Sequence, residues 1–170
     1  MLRKAVVPAM VLCFMLAAPA AHAQEMREGP RAQISVSPIL ALAEWFTGEF
    51  EYAFSNQLSG VFGFSYFSPD DTYSAFDGKI RFYPNATPLE GFNLSGIVGF
   101  TSIDDDNSDE EVSGMTAGVD LGWSWLFGQE KRWYLGVGLG AKRWFGEDNL
   151  GGEEVDLVLP TARLNFGIAF

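Results

Sequence analysis

The chain ends in "PTARLNFGIAF" (residues 160–170), a stretch with two unlike faces. Successive side chains of a β-strand point to opposite sides, so every second residue shares a face. One face carries only apolar side chains: Ala162, Leu164, Phe166, Ile168 and Phe170. The other face carries Arg163 and Asn165. In a soluble domain the apolar face would be the core, and in a membrane barrel it would face lipid, so the rest of the chain must decide.

The same alternation runs through most of the chain, which predicts an all-β protein. Seven segments show it clearly: residues 46–55, 58–67, 76–83, 92–101, 114–127, 133–142 and 160–170. An eighth candidate is "AQISVSPILALA" (32–43), with Ile34, Val36, Leu40 and Leu42 on one face. We therefore expect eight antiparallel strands.

The connections alternate between short and long. Short turns are expected at 56–57, 85–90 and 128–131, and long acidic loops at 68–75, 101–113 and 146–156. In an up-and-down meander this order places every acidic loop at one end of a single domain. The most acidic loop carries Asp104, Asp105, Asp106, Asp109, Glu110 and Glu111. It lacks the EF-hand spacing, so we expect a solvated loop rather than a metal site.

The first 23 residues have the features of a secretory signal peptide: basic residues, an apolar run and Ala21-His22-Ala23 as a cleavage motif. We expect residues 24–32 to form a short periplasmic segment and residues 33–170 the barrel. The leader contains the chain's one cysteine, Cys13, and its one histidine. The mature chain therefore lacks the thiol and imidazole groups that serve most catalytic dyads and zinc sites. We expect no enzyme, no metal and no cofactor.

The formal net charge of −11 argues against nucleic acid as a partner, because phosphate binding requires basic patches. The polar strand face is different, since its charges balance. It carries Glu49, Glu51, Asp77, Lys79, Arg81, Asp120, Lys142 and Arg163. A lipocalin-like barrel would turn this face to solvent, whereas a transmembrane barrel would turn it into a narrow lumen. Charge balance and many glycines favour the lumen, where buried charges must pair.

Aromatic residues gather near the short turns on the apolar face, as in the girdles of membrane barrels. The predicted girdle consists of Phe54, Phe82, Phe92, Trp123, Trp125, Phe127 and Trp133.

These patterns resemble a known family. The stretches "EYAFSNQLSGVFGFSYF" (51–67), "RFYPNATPLEGFNLSGIVGF" (81–100) and "GVDLGWSWLFGQEKRWYLGVGLG" (118–140) resemble small bacterial outer-membrane barrel domains of the OmpA- and OmpX-like group. The resemblance implies an outer-membrane monomer with extracellular acidic loops and periplasmic termini, surrounded by lipid and lipopolysaccharide. It also implies that Leu164, Phe166, Ile168 and Phe170 form the signal read by the barrel-assembly machinery.

One residue departs from the pattern. Pro38 lies inside the predicted first strand, and a closed barrel has no edge where proline is tolerated. Residues 33–43 are therefore expected to be a full strand, to bulge, or to lie inside the barrel.

Three functions follow from these expectations. The first is a sealed barrel with a structural or surface-interaction role. The second is a narrow or gated channel for ions or small solutes. The third is a barrel that acts on lipid or binds it, which would need a side opening and an apolar pocket.

Overall fold

The computed structural model describes residues 29–67, 71–105, 111–146 and 158–170. The predicted signal peptide lies outside the described residues, as do residues 24–28 and Asp106, Asp109 and Glu110 of the acidic loop.

Eight strands form a closed antiparallel barrel in which each strand pairs with the next and the last pairs with the first. The strands are β1 Ala32–Val36, β2 Trp45–Ala53, β3 Leu58–Phe67, β4 Asp71–Phe82, β5 Gly91–Asp105, β6 Glu111–Phe127, β7 Trp133–Gly146 and β8 Val158–Ala169. A four-residue helix, α1 (Pro38–Ala41), follows β1, and a single 3-10 turn (Gln129–Lys131) joins β6 to β7. We call the end with the turns around 54–57, 83–90 and 128–132 the short-turn end, and the opposite end the long-loop end.

Pro38 ends the first strand, so of the three alternatives left open for residues 33–43 the full strand is excluded. β1 stops at Val36, and Pro38 is the first residue of α1. Proline has no N–H to donate to a sheet, but its fixed φ suits the first turn of a helix. The five-residue β1 still closes the barrel, pairing with β2 from Ala32–Tyr52 to Val36–Gly48 and with β8 from Gln33–Ala169 to Val36–Phe166.

The predicted acidic loop is shorter than the sequence suggests. β5 continues to Asp105 and β6 begins at Glu111, so Asp104 pairs with Glu111 across the β5–β6 ladder. Asp105 pairs with Asp71 of β4 on its other side. Antiparallel hydrogen bonds join backbone groups whatever the side chain, so the hairpin extends into its acidic region.

The distribution of apolar and polar side chains between the outside and the inside of the barrel is the reverse of that in a soluble protein. Large apolar side chains are exposed along every strand, including Val98, Met115 and Leu139 at 61%, 63% and 72%. The buried set is rich in polar and charged side chains, with Glu51 and Arg81 both at 0% exposure. This distribution is that of a barrel surrounded by apolar solvent, with a polar interior. Among the described residues, neither helix has the length or apolar character to cross a membrane.

Candidate functional site: the polar lumen

The eight charged residues predicted to share the polar face all project from the strands into the barrel interior. Most are less than one-tenth exposed. The described ion pairs link six of them into one network, and Asp77 and Lys142 form a pair of their own. Their partners come from strands far apart in the chain, because the closed sheet turns each polar face toward the same axis.

Glu49 of β2 is the most heavily shared carboxylate. It pairs with Lys79 of β4, and its Oε2 lies 3.5 Å from a terminal nitrogen of Arg81 and 3.5 Å from Nη1 of Arg163. The Asn165 side-chain amide donates to Oε2 at 2.9 Å. Three cations therefore converge on one carboxylate.

Glu51 has a different set of partners, nearer the short-turn end. It pairs with Arg81, and both side chains are fully buried. The Ser59 hydroxyl donates to Oε1 at 2.5 Å and the Tyr83 hydroxyl donates to the same oxygen at 2.7 Å. A longer contact of 3.5 Å comes from the Gln33 amide. These donors satisfy a buried carboxylate, which would otherwise be costly to hold in the protein.

Asp77 and Lys142 form a separate pair near the long-loop end. The Lys142 Nζ donates to both carboxylate oxygens, at 2.7 and 2.5 Å. Glycines make room for this pair. A Cβ on Gly99 would lie within 2.9 Å of both the Phe76 carbonyl oxygen and the Thr116 hydroxyl, besides meeting the Asp77 carboxylate.

Asp120 is the least satisfied acid. Its Oδ2 lies 3.7 Å from Lys79 Nζ, and its Oδ1 has no hydrogen-bond partner within the described part of the chain. Arg163 makes no ion pair shorter than 3.5 Å among the described residues. Its nearest acceptor is the Asn93 amide oxygen at 3.1 Å, and its Nε lacks a partner among those residues.

The lumen is closed at the short-turn end by residues outside the predicted network. Tyr83, Leu89 and Tyr134 are fully buried, and the first two belong to the connection between β4 and β5. Leu89 adopts a positive φ of 64°, a conformation that bulky residues rarely adopt, to place its side chain there. Burial, and then the neighbouring Glu51 carboxylate, raise the pKa of the Tyr83 phenol well above its ordinary value. The hydroxyl therefore stays protonated and donates to Glu51.

The long-loop half of the lumen is more open. A cavity of about 380 Å³ extends there, lined by Glu49, Asp77, Lys79, Asp120, Lys142 and Arg163. Leu40 of α1 also lines this cavity. The lumen is thus packed at one end and hollow at the other.

The predicted network left out several members of this interior. Asn93 accepts from Arg163, Asn165 donates to Glu49, and Tyr83 and Leu89 close the short-turn end. Asn93, Asn165 and Tyr83 lie on the polar faces of the predicted strand segments, so periodicity places them in the lumen. Periodicity could not place Leu89, because no alternation extends into its turn.

The predicted girdle residues all lie on the outer surface, between 36% and 48% exposed, near the short-turn end. Trp133 stacks on Phe166 of β8, with ring centroids 5.5 Å apart. Phe166, Ile168 and Phe170 of the predicted assembly signal are 40–64% exposed on the outer surface, and Leu164 of the same stripe is partly covered. The described residues include no group of three or more His, Cys, Asp or Glu side chains placed to hold a metal ion.

A closed eight-stranded meander, apolar outside and charged inside, has the architecture of a small transmembrane β-barrel. The structure is similar to the N-terminal β-barrel domain of Pseudomonas aeruginosa OprF, with a TM-score of 0.52 and 15% sequence identity. The similarity covers 85% of this chain and 100% of that domain. The predicted fold, a small eight-stranded barrel like those of OmpA-like outer-membrane proteins, is therefore confirmed. Neither a protein-family model nor a curated protein matches the sequence.

Proposed function

We propose that the chain is an integral outer-membrane protein whose ion-pair network seals the lumen, and that its role is structural or surface-interacting. The observation that carries this proposal is the fully buried Glu51–Arg81 pair with Tyr83 packed beneath it. Removing one member would leave a buried charge without its partner, which costs about 3–5 kcal/mol. The network therefore resists the rearrangement that conduction would require.

The test is single-channel conductance of the refolded mature chain in planar bilayers, with heat-modifiable gel migration to verify barrel formation. We expect a silent membrane for the wild-type protein. The double variant Y83A/L89A, which removes two of the three side chains closing the short-turn end, should produce discrete steps. Steps of equal size from both proteins would contradict the proposed seal.

The proposed orientation places the acidic loops outside the cell and both termini in the periplasm. Outer-membrane lipid and lipopolysaccharide surround the monomeric barrel, and the barrel-assembly machinery inserts it by reading the C-terminal stripe. Lipid contact is supported by the exposed apolar faces, and the likeness to an outer-membrane barrel domain supports the location. We assign no catalytic residue and no cofactor.

The surface-interaction part of the proposal rests on the acidic loop between β5 and β6. Cross-linking in whole cells should capture a partner with the wild-type protein, and capture should fall when the six predicted loop acids are changed to amides. If the wild-type protein and the amide variant capture the partner equally, the acidic loop does not carry the surface interaction.

A second candidate is a narrow or gated channel, and the hollow long-loop half of the lumen favours it. Arg163 contacts Glu49 at 3.5 Å, a longer ion pair than Asp77–Lys142 at 2.5 Å, so it can separate more easily than that pair. If ions pass, E49Q and R163Q should each change the conductance. Unchanged steps in both variants would exclude the lumen as the ion path.

A further inference from the structure

The long-loop half of the lumen carries an aromatic cluster that the ion-pair network does not use. Trp45 of β2, Phe67 of β3 and Tyr73 of β4 lie opposite one another on neighbouring strands. Their rings pack together, with the Trp45 centroid 5.2 Å from that of Phe67 and 5.7 Å from that of Tyr73. Most aromatic side chains of the described strands lie on the outer surface, so a cluster on the lumen face is a distinct feature of this end.

Trp45 and Tyr73 form one side of the lumen cavity of about 380 Å³. Small-molecule pockets in proteins have volumes of about 300–1,000 Å³, so the cavity suits one small ligand. Besides the two rings and the charged groups, its lining is rich in hydroxyls: Thr47, Ser65, Thr101, Thr116 and Thr161. The cavity therefore combines flat apolar surface with many hydrogen-bonding groups.

Several polar atoms of the cavity lining lack a partner. Within the described part of the chain, Trp45 Nε1, Thr116 Oγ1 and Asp120 Oδ1 make no hydrogen bond. Thr116 and Asp120 are only 2% and 5% exposed. The indole N–H is a donor, the carboxylate oxygen is an acceptor, and the hydroxyl can serve as either. Buried polar groups are rarely left unpaired, so this set indicates a partner that both donates and accepts.

The charges of the cavity favour a neutral partner. Its lining contains three acids and three bases: Glu49, Asp77, Asp120, Lys79, Lys142 and Arg163. Asp77 pairs with Lys142, and Glu49 pairs with both Lys79 and Arg163. A charged ligand would either break one of these pairs or enter without a counter-charge, and both are costly in a buried site. A neutral ligand leaves the pairs intact.

A sugar ring has the properties that this cavity requires. One face of a pyranose carries C–H groups, which pack on an aromatic ring, and its edge carries hydroxyls that donate and accept. Phe67 and Tyr73 pack against Trp45 and restrict its rotation, so the indole is held at the cavity before a ligand arrives. Such preorganisation lowers the entropic cost of binding.

We propose that the lumen cavity binds one free neutral sugar, with its ring against Trp45 and its hydroxyls on Thr116 and Asp120. The site goes beyond the sealed-barrel role, because it requires neither conduction nor a loop partner. Tyr83, Leu89 and Tyr134 close the lumen at the short-turn end. The sugar is therefore held in the cavity and does not pass through the barrel.

The experiment is an NMR titration of the refolded mature chain, labelled with ¹⁵N, in nanodiscs of neutral lipid. The probes are glucose, galactose and mannose, and at least one should shift the Trp45 indole N–H resonance in a saturable way. The indole of Trp123, on the outer surface, is the internal reference and should not move. Glucuronate adds a charge to the ring and glycerol lacks the ring, so neither should produce the shift.

No saturable Trp45 shift with any of the three sugars, or an equal shift with glucuronate or glycerol, would overturn the proposal. The same Trp45 shift on adding lipopolysaccharide to the nanodiscs, without free sugar, would identify a surface saccharide as the occupant and overturn it too.

Two tryptophan variants provide the matched control, with binding read from the sugar by saturation-transfer difference NMR. W45F removes the indole N–H at the cavity and should weaken binding about fivefold, the effect of one lost hydrogen bond. W133F makes the same change on the outer surface and should leave binding unchanged. Gel migration identifies any variant that fails to fold. Equal binding by the two folded variants would contradict the assigned site.

T116V tests the same site without touching the aromatic cluster. Valine keeps the shape of threonine and removes only the hydroxyl, so binding should again weaken about fivefold. A folded T116V that binds the sugar as tightly as the wild-type protein would contradict the assigned contact, whatever the result for W45F.

Discussion

Glu51 is the acceptor on which the closed half of the lumen depends, and its substitution should destabilise the barrel strongly. Arg81, Ser59, Tyr83 and Gln33 all direct donors to its carboxylate. E51A would leave the fully buried Arg81 guanidinium with the Ser95 hydroxyl at 3.2 Å and the Glu49 carboxylate at 3.5 Å, and it would orphan two hydroxyl donors. Breaking a buried pair costs about 3–5 kcal/mol, and each orphaned donor about 1–3 kcal/mol where water does not enter.

We expect E51A to lose about 3–5 kcal/mol in the free energy of unfolding, measured by urea titration in lipid vesicles with tryptophan fluorescence and gel migration. E51Q keeps the shape and one acceptor oxygen, so it should lose less. The matched control is E90Q. Glu90 pairs with Lys131 at 2.6 Å, but both side chains are more than one-third exposed. Exposed pairs contribute about 0–1 kcal/mol.

The double variant E51A/R81M separates the charge effect from the loss of packing. If the cost arises from an unpaired buried charge, replacing the guanidinium by an apolar side chain should recover part of the stability. A loss below about 1 kcal/mol for E51A, or a loss equal to that of E90Q, would refute the view that this network holds the lumen together.

Three further predictions follow from the fold. G99A should destabilise the barrel by about 1–3 kcal/mol because its Cβ meets lumen groups and backbone, whereas G96A, with no atom within 4 Å of its Cβ, should change stability little in the same urea assay. F170A should reduce the folded, heat-modifiable band in cell membranes while leaving refolding from urea nearly unchanged; an equal defect in both would show a structural rather than an assembly role. Because the predicted mature chain lacks cysteine, N107C and N85C report orientation: a membrane-impermeant maleimide should label the first in intact cells and the second only after lysis, and the reverse pattern would invert the proposed topology.

Much of the fold was predictable because β-sheet periodicity is a local property. Alternation assigned Glu49, Arg81 and Arg163 to the polar face without any knowledge of their ion-pair partners. The same two-residue alternation placed Phe166 and Ile168 on the outer face. The balance of charges and the glycines then indicated that the polar face was the interior. The sequence indicated that β1 would be interrupted near Pro38, because proline rules out a regular central strand. It did not predict which structure follows the strand.

The sequence by itself determined which side chains face lipid and which face the lumen, because successive residues of a strand must point to opposite sides. Only the tertiary structure decided which lumen groups meet. Glu51 and Arg81 are 30 residues apart, and Arg163 lies 114 residues from Glu49. Their contact depends on the register and tilt of a closed sheet. The burial of Leu89 was likewise decided by the tertiary structure, because it depends on how the connection between β4 and β5 lies against the lumen.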